Sequence, residues 1–186
     1  MIRPALLAIV MALPATAQDV PDRAAARDML FDTRGVDLIV TAHSFLSDLD
    51  IATLQQMPQA MELKYYGALA IPPSEGLRSE AARGAFNYHS PDAARRAALA
   101  DCDGAKSGGA PCVIVADIRP RGWQAGRALT LNQDATDAVR GRAFRRAGRA
   151  ATLAVSPSTG QWGLADGQSA AIAECGVEDC VVAVAR

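Results

Sequence analysis

The feature that most constrains this chain is a repeated placement of its four cysteines. Tyr66 to Gly76 aligns with Ala150 to Gly160, and both read Leu-Ala, a β-branched residue, one variable position, then Pro-Ser-x-Gly. The pattern describes a strand running into a tight turn. A second short strand follows in each copy, Gly84 to Tyr88 in the first and Trp162 to Ala165 in the second. An alanine-rich helix comes next. In the first copy Ser90 is its expected N-cap and Pro91 its first residue, and it ends on Cys102. In the second, Asp166 or Ser169 is expected to cap a helix that ends on Cys175. A glycine-containing loop then leads to Cys112 or Cys180, each opening an apolar strand. Turn, helix and two cysteines recurring in one order argue for two related strand–strand–helix–strand units.

Four cysteines allow three pairings. If a unit was duplicated, each copy carries its own bridge, which favours Cys102–Cys112 and Cys175–Cys180. Paired cysteines belong to an oxidising compartment, and the N-terminus reads the same way. Arg3 precedes an apolar run from Ala5 to Leu13, and Ala15-Thr16-Ala17 supplies a cleavage site, the three parts of a secretory signal. Residues 1–17 are therefore expected to be a signal peptide and 18–186 one exported domain, periplasmic or secreted. No later apolar stretch reaches the roughly 20 residues of a membrane-spanning helix, so no membrane span is expected.

The remaining patterns complete an α+β reading. Asp22 to Phe31 and Leu46 to Met57 are expected helices, the latter with Asp50, Ser44 or Ser47 as a cap and Pro58 ending or kinking it. Val36 to Val40 is an expected strand, and Asn132 to Val139 begins another helix. The units span about 64–118 and 150–186, joined by a basic connector over 119–149.

These residues resemble small exported bacterial repeat domains of unknown function that carry paired cysteines. The likeness rests on the Leu-Ala-x-x-Pro-Ser-x-Gly turn, the alanine-rich helix into cysteine, and Cys180-Val181-Val182-Ala183. The chain also resembles a group of short exported bacterial proteins labelled 5-aminolevulinate synthase, through Phe45 to Asp50 and Lys64 to Ala70 as well. Pyridoxal-phosphate chemistry needs a Schiff-base lysine. The only lysines here, Lys64 and Lys106, lack that setting, so no cofactor is expected.

The remaining chemistry-bearing residues are few. His43, beside Ser44 and near Asp48, raises the possibility of a hydrolase using a serine brought close by folding. His89 reads as a turn residue, and Ser74 and Ser158 as turn serines outside any nucleophile elbow. Two distant histidines do not make a metal site. Charge is more informative. Between Arg119 and Arg149 eight arginines face only Asp134 and Asp137, an excess of +6 in a chain whose net charge is −1. Arg142, Arg145, Arg146 and Arg149 stand at helical spacing and are either the expected binding face or a solvated helix face paired with the acidic remainder of the molecule. Trp123 beside Arg121 offers a stacking surface. The composite expectation is a non-enzymatic binding or envelope-associated module for an anionic envelope component or an acidic protein, with no nucleic-acid partner. A structural protein without a small ligand is the other alternative to the hydrolase.

Overall fold

The computed structural model describes residues 20–186, so the expected signal peptide lies outside the described residues. The rest forms an α+β fold of two antiparallel sheets, each covered by helices on both faces. The first sheet contains β1 (Val36–Val40), β2 (Gly67–Ile71), β3 (Arg83–Ala85) and β4 (Val113–Pro120), in the order β1-β4-β2-β3. The second contains β5 (Ala151–Val155), β6 (Trp162–Asp166) and β7 (Val181–Ala185), in the order β6-β5-β7. In both, the first strand of a strand–strand–helix–strand unit lies between the other two. The ladders also share an irregularity. Register shifts between Leu69 and Ala70 where β2 meets β4, and between Leu153 and Ala154 where β5 meets β7.

Alternation along β2 and β5 sends small and large side chains to opposite faces. Ala68 and Ala70 of β2 pack with Ala94 and Ala98 of α3 (Pro91–Ala105), while Ile71 packs with Leu54 of α2 (Asp48–Ala60). In the second sheet Ala154 meets Ala171 of α6 (Gln168–Cys175). Leu153 and Val155 meet the larger cluster made by α1 (Arg23–Met29), α4 (Gln133–Arg140) and α5 (Ala143–Arg146). Alanine on both partners is what lets α3 and α6 lie close to their sheets. The limit is reached at Gly163, where a Cβ would stand 2.4 Å from both the Ala171 carbonyl oxygen and the Cys175 amide nitrogen.

The disulfides are Cys102–Cys112 and Cys175–Cys180. Each ties the end of a helix to the start of a strand, and closing such short loops contributes about 2–3 kcal/mol in the chain-entropy account. Ser90 caps α3 through the Ala93 amide with Pro91 at the first turn, as the sequence predicts. Elsewhere local expectations change. Asp50 is not the cap of α2 but the third residue of a capping box whose cap is Ser47. Pro58 does not end that helix. It sits in the last turn, where only one backbone bond is forfeited. Neither Asp166 nor Ser169 caps α6. Gly167 holds that position, while the Asp166 carboxylate accepts from the Ala150 amide.

A buried polar knot joins the two sheets. Asn132, the N-cap of α4, donates from Nδ2 to the carbonyls of Asn87 and Gly160 and accepts from the Ala135 amide. Its own amide donates to Nδ1 of His89, whose Nε2 lies 3.0 Å from the Gln161 carbonyl. These partners assign the proton to Nε2 and leave Nδ1 an acceptor.

Two predictions follow from this packing. Gly163→Ala should destabilise the protein by about 1–3 kcal/mol in urea unfolding, because backbone and not a flexible side chain blocks the new methyl group. His89 is held below its ordinary value of 6.5, first by burial, against the raising effect of its carbonyl partners. The unfolded chain therefore takes up this proton first. The histidine's contribution is complete above 6.5 and is lost as pH falls below it. Folded-state protonation would break the Asn132 bond, so stability in thermal unfolding should fall by up to about 2 kcal/mol between pH 7.5 and 5 through this histidine, a loss reduced in His89→Gln.

Candidate functional site

Folding divides the basic connector into arginines that hold the structure together and arginines that do not. Arg140 ends α4 and donates from Nη2 to the Leu30 carbonyl at 2.7 Å, at the C-terminus of α1. The exchange is reciprocal. Arg23 of α1 donates to the carbonyls of Val139, Arg140 and Gly141 at the end of α4. Each helix thus supplies the cation that satisfies the last carbonyls of the other, where the helix dipole favours positive charge. Arg127 donates to the Met29 carbonyl and lies 3.9 Å over the Phe31 ring. Arg119 stacks 4.2 Å over the ring of Trp123. The stacking surface expected of Trp123 is thus engaged by the chain's own arginine.

Of the other five, Arg121 is exposed in the loop after β4, and the last four form a different group. Phe144 is buried under α5 and anchors that short helix against α4 and β5. Arg142 precedes the helix, Arg145 and Arg146 occupy its last turn, and Arg149 follows Gly148, whose φ is +133°. All four are exposed, and among the described residues none of their guanidinium groups makes an ion pair or a side-chain hydrogen bond. The single helical face expected from their spacing is not formed, because the helix ends at Arg146. A turn carries the chain to Arg149, so the basic surface is a helix turn plus a loop.

Three cations distant in sequence extend this surface. Arg23 is held below its ordinary value by its burial first, then by repulsion from Arg27, Arg145 and Arg186. Arg186 donates to the Gly148 carbonyl, which brings the C-terminus beside the α5 loop. No local sequence signal marks these residues as neighbours. Only the packing of α1 and β7 against α4 and α5 gathers them.

The residues considered for catalysis do not assemble. Nε2 of His43 lies 2.9 Å from the Ile114 carbonyl, and its ring stacks on Phe45. Among the described residues no serine hydroxyl hydrogen-bonds to it. His89 belongs to the buried knot. Ser74 is exposed in its turn, and Ser158 donates its amide to Asp179, whose carboxylate also accepts from Ser156. Those bonds hold Asp179 below the usual carboxylate range, the Ser156 hydroxyl contributing most. This arrangement has a hydrogen-bonded carboxylate but no base beside a nucleophile, and it serves to close the β5–β6 turn. Among the described residues no three His, Cys, Asp or Glu side chains gather to hold a metal ion, and no helix is long and apolar enough to cross a membrane.

The fold and surface describe a class: an α+β domain with one disulfide in each of two like-ordered units and an exposed arginine cluster. The chain matches no protein-family model, none of the curated proteins and no solved structure.

The two kinds of arginine should respond differently to substitution. Replacing Arg142, Arg145, Arg146 and Arg149 together by glutamine should change unfolding stability by no more than about 1 kcal/mol, because surface side chains without partners contribute little. Arg140→Met, which strips the partly buried Leu30 carbonyl of its donor, should cost about 1–2 kcal/mol. Chemical denaturation of the three proteins checks both.

Proposed function

We propose that the protein acts outside the cytoplasm as a non-enzymatic binding module, presenting the α5 surface to an anionic envelope component or an acidic protein. The observation that carries this reading is the exposure of Arg142, Arg145, Arg146 and Arg149, none of which pairs with a carboxylate among the described residues. Guanidinium groups bind carboxylates and phosphates bidentately. Here no partner among the described residues has to be displaced first. Arg23, Arg27 and Arg186 add to the local positive potential, which favours encounter with an anionic surface. Two disulfides and the signal-like N-terminus support the exported compartment. The engagement of His43 with a backbone carbonyl instead of a serine favours binding over hydrolysis.

Charge reversal at the four arginines tests the proposal. At about 1 kcal/mol per basic residue near an anionic surface, the variant should lose roughly 100-fold or more of its retention on native envelope material at low salt. Recovery of the same material by both proteins would exclude the basic surface as the binding site.

A further inference from the structure

A second arginine cluster lies away from α5. The start of α3, the end of β4 and the loop after it enclose a cleft of about 270 Å³. Arg95, Arg119 and Arg127 line it, with Trp123, Thr130 and, at the rim, Asp92. All three arginines are held by the fold. Arg95 makes a bidentate pair with Asp117, Nε to Oδ1 at 2.6 Å and Nη2 to Oδ2 at 2.5 Å. Arg119 Nη2 is 3.5 Å from the same carboxylate, and its guanidinium is stacked on Trp123. Arg127 is fixed on the Met29 carbonyl and the Phe31 ring.

The charges do not cancel. Among the described residues Asp117, only 3% exposed, is the one carboxylate paired to the cleft arginines, and Asp92 stands exposed at the edge. Three guanidiniums against two carboxylates leave an excess of one positive charge in a partly desolvated concavity, where electrostatic attraction is stronger than at an open surface. Arg95 keeps Nη1 after pairing with Asp117. Stacking occupies the face of the Arg119 guanidinium and leaves its Nη1 without a hydrogen-bond partner in the structure. Position 119 also carries a cost. Its Nε is buried without a hydrogen-bond partner, a defect that an apolar side chain there would avoid. Native folds concentrate such departures from polar satisfaction at functional positions.

We propose that this cleft binds a small organic oxyanion, a carboxylate or a phosphate ester, through Arg95 and Arg119, with its apolar part against Trp123. Arginines immobilised before the ligand arrives lose little freedom on binding. The volume lies just under the roughly 300–1,000 Å³ of drug-sized pockets, which suits a metabolite-sized anion and not a polymer. The α5 arginines do not line this cleft, so the two sites stand or fall separately.

The test uses three probes sharing one ring: benzoate, phenyl phosphate and uncharged benzamide. Each is titrated into the full-length protein and followed by Trp123 fluorescence in a Trp162→Phe background, and by calorimetry of the unmodified protein. At least one anion should saturate below about 10 mM, the preferred anion naming the chemistry, while benzamide gives no saturable signal. By removing one of the three positive charges that line the cleft, Arg127→Gln should weaken binding about two- to fivefold. Asp92→Asn, at an exposed carboxylate whose removal spares the core, should tighten it about two- to fivefold. The glutamine quadruple of α5 should bind as the parent does. Binding of benzamide equal to that of the anions, no saturation by either anion, or affinities unmoved in both Arg127→Gln and Asp92→Asn would each overturn the proposal.

Discussion

The junction of the two sheets is organised around one fully buried side chain, Asn132. It caps α4, reaches the carbonyls of Asn87 in the first unit and Gly160 in the second, and uses its own amide to set the tautomer of His89. His89 then closes the circuit on Gln161. The side-chain polar groups of Asn132 and both ring nitrogens of His89 have partners, which is the condition under which a buried polar network orders a structure instead of weakening it. Backbone approach at the junction leaves no slack. A Cβ on Gly160 would lie 2.4 Å from the Asn87 carbonyl oxygen. Because Asn132 also starts α4, the same residue determines where α5 and its arginines emerge.

Within each unit, stability comes from closeness instead of bulk. Alanine faces alanine between α3 and β2, and α6 rests on the backbone of Gly163. Small side chains bury little apolar area each, at roughly 25 cal/mol per Å². The disulfide at each helix end therefore replaces part of what larger residues would supply. Larger side chains collect on the opposite faces, where Leu54 and Ile71 pack in one sheet and Leu131, Phe144 and Leu153 in the other.

Arginine serves three purposes in this molecule. Arg23 and Arg140 satisfy helix-end carbonyls across a helix pair. Arg95, Arg119 and Arg127 are locked by a carboxylate and by aromatic rings around a cleft. Arg142, Arg145, Arg146 and Arg149 meet solvent. One composition bias in the sequence thus conceals a fold-holding pair, a preorganised concavity and an open cationic surface. The distinction matters because an arginine already bonded to a carbonyl must break that bond before it can bind anything else, whereas an exposed one need not.

Sequence by itself determined the α+β class, the element order of both units and the residues paired in each disulfide, because these depend on short-range periodicity, turn chemistry and the recurrence of one local pattern. The Ser90 cap and the Asn132 start of α4 were legible for the same reason. Only the tertiary structure decided which arginines are engaged, that the α5 helix stops before Arg149, and that Arg23, Arg27 and Arg186 join its surface. It also brought Arg95 of α3 to Asp117 and Arg119 of β4. These outcomes depend on contacts between residues tens of positions or more apart, and a buried carboxylate or a carbonyl at a distant helix end leaves no mark in the residues around its partner.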